Sequence, residues 1–259
     1  MRLSTGLAAV YATLIYGFVF LPVAVLVVFS FQGSAVPVPP FNGPSRKWYA
    51  EALADRGITA ALANSMVVAL ASSAVSVLLG FLAAYGFARH RVPGSGAWRG
   101  FLTAPHAVSS LIIGMGLLVV FNAAGLPKSL FAVGIGHVVI NLPLCFAIIY
   151  SQMGDHQANI ERAARDLGAS DWQVLALITA PMLWPALFAS FFLSMTFSWD
   201  EFVISWLLTR FEVTLPVEIW NMMRSGLSPK SNAVGSLVFL ISILFVLIAE
   251  LALFRKGRA

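Results

Sequence analysis

Six long stretches of this chain contain no Asp, Glu, Lys or Arg, and they constrain the fold more than any other feature of the sequence. They cover residues 3–45, 57–88, 100–127, 129–154, 172–199 and 231–249. Each supplies about the 20 residues that a helix needs to cross roughly 30 Å of hydrocarbon. Barrel strands of about ten alternating residues do not fit these runs. The chain is therefore predicted to be an all-α integral membrane protein.

The composition supports six membrane spans in a single transmembrane domain over residues 1–259. The chain is 59% hydrophobic and 10% charged, whereas soluble domains carry about 25% charged residues. The first apolar run is much longer than that of a secretory signal, so we expect it to be retained as an anchor. The spans are predicted at 7–31, 60–88, 101–122, 130–152, 178–208 and 232–254, with a loop at 155–177 between the fourth and the fifth.

The distribution of Lys and Arg predicts the orientation of these spans. Six spans place both termini on one side, and that side holds the short basic loop "ARHRVPGSGAWRG" and the terminal "FRKGRA". Basic residues close to a membrane favour the cytoplasmic side. We therefore expect a multi-pass membrane protein with both termini in the cytoplasm. The net charge of +5 is read as part of this orientation signal and does not point to nucleic acid.

The sequence contains no motif for catalysis or for nucleotide binding. It has no Gly-rich phosphate loop, and its four histidines and single Cys145 show no metal-ligand spacing. We therefore expect no catalytic residue, metal site or cofactor in this chain. Any nucleotide hydrolysis must come from another polypeptide.

The charged stretch "ERAARDLGASDWQVLALITAP" at 161–181 predicts a short amphipathic helix. Ile160, Ala163, Ala164 and Leu167 share one face, on which two alanines would let a partner surface approach closely. The opposite face is charged, with predicted ion pairs Glu161–Arg165 and Arg162–Asp166 of about 0.3 kcal/mol each.

A helix end and a new helix start follow this amphipathic helix. Gly168 can adopt the left-handed conformation that ends a helix. Ser170 and Gln173 have the spacing of a capping box, which begins the next helix. The alternative interpretation of the whole stretch is a helix lying on the lipid surface, or a cytoplasmic linker.

This stretch resembles the "EAA" loop of the permease subunits of binding-protein-dependent ABC importers. The loop pattern is Glu-Ala-Ala, three residues, Gly, nine residues, Ile, one residue and Leu-Pro. Two positions depart from it: Arg162 stands in place of the glutamate, with Glu161 one residue earlier, and Ala180 replaces the leucine. The resemblance implies a type I importer permease fold whose coupling helix docks in a groove of the ATP-binding subunit. The residues assigned to this contact are Glu161, Arg162, Ala163, Ala164, Gly168, Ile178 and Pro181.

Two adjacent acids, Asp200 and Glu201, occur in the predicted fifth span. If that helix is straight, 19 residues from Pro181 extend about 28 Å, which places the acids in the outer half of the membrane. An Asp at the centre of a span costs about 2.5 to 3.5 kcal/mol on insertion scales. We expect the pair to face a water-filled path or a partner helix. The alternative is that both mark the outer interface or pair with Arg210 or Arg224.

The segments "NSMVVALASS", "SWDEFVISWLLT" and "TLPVEIWNMMRSGLSPKSNAVGSL" are similar to the spermidine/putrescine branch of these permeases, and to its second permease subunit in particular. This resemblance implies a cationic amine cargo, for which carboxylates and aromatic faces can replace water. It also implies a substrate path with Trp199, Asp200, Glu201, Glu218 and Trp220. Glu218 and Trp220 belong to an external loop, where exposed acids are also ordinary.

The same resemblance implies a place in the bacterial inner membrane and the partners of the chain. These are two ATP-binding subunits that hold ATP and Mg²⁺, a second homologous permease in a heterodimer, an external substrate-binding protein and the surrounding lipid, with no nucleic acid. Alternative cargoes are other amines, amino-acid derivatives and aminophosphonates. Alternatives of another class are an intramembrane enzyme using His106 or His137, and a channel without an energy source.

Overall fold

The computed structural model describes residues 2–226 and 228–256, with side chains at 8–226 and 228–251. The basic C-terminal residues that support the predicted orientation, Arg255, Lys256 and Arg258, lie outside the described side chains. Within the described part the chain forms helices and no strand, apart from one isolated β-bridge between Gln32 and Pro44. The predicted all-α class is confirmed.

The helices follow one another closely along the chain. The α helices are α1 (Arg2–Phe29), α2 (Lys47–Ala54), α3 (Arg56–Arg89), α4 (Ser95–Thr103), α5 (Ser110–Ala123), α6 (Leu130–Ser151), α7 (Asp155–Asp166), α8 (Asp171–Gln173), α9 (Ala180–Met182), α10 (Trp184–Asp200), α11 (Val203–Leu208), α12 (Leu215–Ser225) and α13 (Pro229–Lys256). A 3-10 helix, Ala104–Ala107, follows α4, and a π-helix, Val174–Thr179, joins α8 to α9.

Four helices in the described residues are long and apolar enough to cross a membrane: Ala8–Phe29, Arg56–Arg89, Leu130–Ser151 and Pro229–Leu251. Two further spans are present if each of two bent helix pairs crosses as a unit. These pairs correspond to the predicted third and fifth spans.

The predicted third span, 101–122, is not one straight helix. Ser95–Ala107 and Ser110–Ala123 meet at an angle of 107°. Pro105 in the 3-10 helix lacks a backbone N–H and so cannot continue the α-helical ladder. Ser109 then starts a new helix, because its side chain accepts a hydrogen bond from the Leu111 N–H at 3.3 Å.

The predicted fifth span, 178–208, is wrong as a single straight helix. Asp171–Met182 and Trp184–Asp200 form an angle of 71°. Pro185, in the first turn of α10, has no backbone N–H with which to continue the preceding helix. A second break follows Asp200, where Glu201 has an extended backbone with φ −71° and ψ 108°. The distance estimate that placed the acids in the outer half of the membrane therefore does not hold.

The chain divides into two compact units, of which the first comprises Met1–Thr59 and Glu218–Ile243. Polar contacts order the segment after α1 in this unit. The buried Gln32 receives a hydrogen bond on its carbonyl from Trp48 Nε1 at 2.6 Å. Asp55 accepts one from Lys230 Nζ at 2.6 Å, and this bond lowers the pKa of Asp55.

The second unit comprises Ala60–Val217 and Leu244–Ala259, and its core lies between α3, α6 and α10. One buried cluster includes Phe81, Cys145, Phe146 and Leu183. Close approach of α3 to α6 requires Gly80, because a Cβ there would lie 2.9 Å from the backbone nitrogen of Phe146. Small residues at such contacts let membrane helices pack closely.

We predict that Gly80→Ala lowers the stability of the protein by about 1 to 3 kcal/mol, because α3 must move away from the α6 backbone. The matched control is Gly86→Ala on the same helix, where a Cβ meets nothing within 4 Å. Thermal unfolding in detergent measures both variants. Equal midpoints for the two variants would contradict the close contact.

Candidate functional site

Glu161 fastens the amphipathic helix α7 to the rest of the second unit through a buried ion pair. Its carboxylate accepts hydrogen bonds from Arg89 Nε at 2.6 Å and Arg89 Nη2 at 3.2 Å. Thr179 Oγ1 donates a third at 3.0 Å. The Glu161 side chain is 0% exposed and that of Arg89 is 10% exposed. This carboxylate therefore joins α7, the last residue of α3 and the π-helix.

The predicted ion pairs within α7 are wrong. Arg165 binds Asp171 Oδ1 at 2.8 Å and the Tyr85 hydroxyl at 2.9 Å, and the Asp171 hydrogen bond raises the pKa of Arg165. Arg162 donates instead to Asn159 Oδ1 at 2.6 Å. The buried, bidentate Arg89–Glu161 pair is stronger than an exposed pair four residues apart, which explains why Glu161 turns inward.

The opposite side of α7 presents an apolar surface to solvent. Leu167 is 90% exposed, Ile160 36% and Ala163 is exposed, while Ala164 is half-buried. Trp172, in the next helix, is 71% exposed. We call Ile160, Ala163, Leu167 and Trp172 the α7 surface.

The predicted break after α7 is confirmed. Gly168 has φ +91°, a conformation that favours glycine. Ser170 and Gln173 form the complete capping box at the start of α8. Further along, Ile178 is half-buried in the π-helix and Pro181 is exposed in α9. The two lie beyond the capping box, on the segment that leads into α10.

The two acids lie at a helix break rather than within a helix. Asp200 is the last residue of α10 and is exposed, whereas Glu201 follows it and is partly buried. Glu201 Oε1 accepts the N–H of Ile204 at 3.1 Å and so caps α11. Among the described residues, neither acid forms a salt bridge. Their alternative pairing with Arg210 or Arg224 is absent there.

A chain of buried hydrogen bonds holds the two sides of this break together. His137 on α6 contacts Ser198 Oγ through Nδ1 at 2.7 Å and Ser205 Oγ through Nε2 at 3.2 Å. Ser205 Oγ donates to the Glu201 carbonyl at 2.9 Å, so it accepts from His137, and the Nε2–H tautomer follows. Nδ1 then accepts from Ser198, which also contacts Ser72 Oγ at 3.0 Å. His137 therefore fixes the backbone around Glu201.

A small cavity lies where this break meets the bend of the third span. Its volume is about 120 Å³, and its lining includes Pro105, His106, Ser110, Asn141, Phe197 and Glu201. The Asn141 side chain is 2% exposed and its Nδ2 has no hydrogen-bond partner among the described atoms. Irregular backbone at membrane depth is tolerated where it is buried in protein or lines a cavity.

The remaining residues of the predicted path are not among those lining this cavity. Trp199 is 1% exposed and packs edge-on against Phe245 at 5.5 Å, so its ring belongs to the core. Glu218 lies in the first turn of α12 and is partly buried, and Trp220, on the same helix, is 42% exposed. Both belong to the first unit. Their place in a substrate path stays a prediction.

Sequence reasoning missed Arg89, Asn141 and the structural role of His137. Arg89 was counted only as an orientation signal, since its partner lies 72 residues away. His137 and Asn141 carried a usable signal, because polar side chains within spans are costly and mark functional sites by default. Within the described residues, no group of three His, Cys, Asp or Glu side chains is placed to hold a metal ion.

Comparisons with known proteins agree with this geometry. The sequence pattern of the family described as "Binding-protein-dependent transport system inner membrane component" matches residues 76–256. The spermidine/putrescine transport system permease protein PotC of Escherichia coli K12 is 29% identical over 93% of this chain and 91% of its own. The putrescine transport system permease protein PotI of the same strain is 32% identical over 87% of this chain and 83% of its own.

Solved structures share the fold at low sequence identity. A chain of a bacterial ABC transporter involved in the import of the acidic polysaccharide alginate has a TM-score of 0.73 at 18% identity, covering 98% of this chain and 96% of its own. A chain of the MetNI methionine ABC transporter has a TM-score of 0.63 at 14% identity, covering 80% of this chain and 97% of its own.

The family pattern covers more than two thirds of the chain, including α7, the π-helix and both helix breaks. It therefore applies to the part of the molecule that contains the buried ion pair and the cavity. The chain belongs to the family of inner membrane components of binding-protein-dependent transport systems.

Proposed function

We propose that this chain is one permease subunit of an ATP-driven importer of polyamines, with spermidine or putrescine as cargo. The observation that carries the proposal is the similarity to PotC and PotI along nearly the whole chain. The structure adds two features that such a subunit needs. They are an exposed apolar helix surface for a motor subunit and a polar cavity next to a carboxylate.

The α7 surface is the proposed contact with an ATP-binding subunit. Trp172, which is 71% exposed, is the kind of side chain that anchors protein interfaces. Leu167, which is 90% exposed, adds apolar area to the same surface. On the inner side of the same helix, Glu161 is bonded to Arg89 and Thr179. A displacement of α7 by the partner therefore pulls directly on the end of α3 and on the π-helix.

The proposed assembly contains two ATP-binding subunits, a second homologous permease and an external substrate-binding protein. ATP and Mg²⁺ are bound by the ATP-binding subunits, and this chain binds no cofactor. The second permease is proposed to be a different chain. A helix that docks to a cytoplasmic ATPase lies in the cytoplasm, and both termini are proposed to lie on the same side.

In the proposed cycle, closure of the ATPase pair moves α7 and tilts the spans, which opens the path outward to accept cargo. Reopening after hydrolysis releases the cargo inward. The chain itself breaks no bond. The bend between α9 and α10, of 71°, lies between α7 and the acids, so movement at one end changes the position of the other.

The polyamine cargo rests on Asp200 and Glu201 as well as on the relatives. Two carboxylates without a salt bridge in the described residues leave negative charge available to a polycation. Aromatic rings of a path can also bind cations, and Trp220 and Glu218 are retained as proposed contributors. The alternative cargo is another amine, an amino-acid derivative or an aminophosphonate.

We predict that Glu161→Gln destabilises the protein by about 3 to 5 kcal/mol, because the Arg89 charge loses its buried partner. Loss of this contact also detaches α7 from α3, so binding-protein-stimulated ATPase activity should fall. Asp166→Asn is the control for stability, since it removes one carboxylate from the exposed side of the same helix. Unfolding midpoints that match between the two variants would contradict a buried, structural ion pair.

Cysteine cross-linking tests the docking of α7. Ala163→Cys adds an accessible thiol to the α7 surface, while the native Cys145 is buried and does not compete. A short maleimide–benzophenone reagent, attached to this thiol and then irradiated, should capture a subunit that also binds a labelled ATP analogue. The control is Val38→Cys, an exposed position in the first unit. Absence of an ATP-binding adduct from the Ala163→Cys variant in native membranes argues against the coupling role.

Uptake of labelled spermidine and putrescine by the reconstituted complex tests the cargo. Wild type should accumulate both when the loaded binding protein and ATP are present, and Asp200→Asn should lower the initial rate. An unrelated zwitterionic amine is the comparison compound. If the complex takes up the zwitterionic amine and neither polyamine, the polyamine cargo is wrong and the alternative cargo is supported.

A further inference from the structure

The cavity at the helix break has the composition of a binding subsite. It is bounded by two irregular backbone segments, the bend between the 3-10 helix and α5 and the break between α10 and α11. Discontinuous membrane helices form substrate sites because their free backbone groups and side chains can face a ligand. The inference below rests on the proposed amine cargo and concerns which residues bind it.

Glu201 supplies the charge of this cavity. One of its oxygens, Oε1, accepts the Ile204 N–H, and the backbone carbonyl is held by Ser205. His137 connects Ser205 to Ser198 across the break, so the direction of the Glu201 side chain is set from both sides. A carboxylate fixed in this way needs little reorganisation to receive a cation.

Asn141 supplies an unsatisfied polar group in the same cavity. Its side chain is 2% exposed, and its Nδ2 has no hydrogen-bond partner among the described atoms. A buried amide without a partner is costly unless something occupies the space beside it. The Oδ1 atom of the same amide is a hydrogen-bond acceptor, which an ammonium donor can use.

The size of the cavity suits a small polar group. Its volume of about 120 Å³ exceeds the roughly 10 to 15 Å³ that a single water molecule needs. This space fits a protonated primary amine with its first methylenes. The Phe197 ring is half-exposed beside Glu201, and an aromatic face attracts a cation or covers an alkyl chain.

We propose that this cavity binds one terminal ammonium group of the cargo during transport. Glu201 is the counter-ion, Asn141 accepts a hydrogen bond from the ammonium through Oδ1, and Phe197 covers the adjacent methylenes. His137 does not touch the ligand and acts as a positioning residue for Glu201. The subsite recognises the end of a linear amine, so a diamine and a longer polyamine would use it alike.

The test compares variants of the complete transport complex in proteoliposomes. Asn141→Leu and Glu201→Gln should each raise KM for putrescine uptake about tenfold or more, since Asn141→Leu removes a hydrogen bond to a charged group and Glu201→Gln removes the counter-ion. The controls are Asn122→Leu and Glu212→Gln, which make the same changes at exposed positions.

Asn141→Asp distinguishes an ammonium ligand from an anionic one. An ammonium should bind the aspartate variant at least as well as wild type, whereas an anionic group should lose binding. If the Asn141→Asp complex does not assemble, the KM of an assembled Asn141→Leu complex is the deciding measurement. A wild-type KM in the Asn141→Leu variant, or loss of putrescine uptake in an assembled Asn141→Asp variant, contradicts the proposed subsite.

A double variant tests the role of His137. His137→Gln should raise KM in the wild-type background and have little further effect in the Glu201→Gln background, because both changes act on the same carboxylate. Independent effects would contradict the positioning role. If wild type takes up polyamine while the variants equal it, the subsite fails and the function stands. If wild type takes up no amine, the proposed cargo fails and the subsite with it.

Discussion

Every backbone N–H and C=O inside hydrocarbon must find a partner within the protein, and this requirement organises the whole molecule. It explains the long helices, and it also explains where they can stop. At the third span the Ser109 side chain caps the new helix after the bend. At the fifth span Glu201 caps α11, and Ser205 satisfies the Glu201 carbonyl. Polar side chains therefore occur where the helices break, and the cavity forms between these breaks.

The sequence was sufficient for the features that depend on local chemistry. Apolar runs predicted helices, Gly168 predicted the end of α7, and Ser170 with Gln173 predicted the next start, which the structure contains as a capping box. The amphipathic pattern also identified α7 and its exposed apolar surface. These signals act over a few residues, so one sequence carries them completely.

Features that depend on contacts between residues far apart in the chain could not be predicted from the sequence. Glu161 was expected to pair with Arg165, four residues away, but its partner Arg89 lies on another helix. No Pro or Gly in the sequence marks the break after Asp200. His137 on α6 stabilises the break through hydrogen bonds to residues on both sides of it. The family resemblance assigned Trp199 to a substrate path, yet its ring packs into the core. Only the three-dimensional structure shows that Trp199 is buried while the adjacent Asp200 is exposed.

Fold and cargo are also separate questions for this protein. A chain of a transporter of an acidic polysaccharide shares the fold with a TM-score of 0.73, so the fold by itself does not identify the cargo. We propose that the choice of cargo depends on the side chains at the helix breaks, which the helices hold in position.

The first helix, α1, is less buried by the rest of the described chain than the three other long spans are. None of the apolar window within Ala8–Phe29 is buried by the described part of the chain. These 22 residues extend about 33 Å, against roughly 30 Å of hydrocarbon. This apolar segment is thus slightly longer than an average bilayer core, and a modest tilt or a local thickening of the lipid removes the mismatch. Bilayer thickness is therefore a variable that acts on this protein directly, through a span that the described residues leave open to lipid.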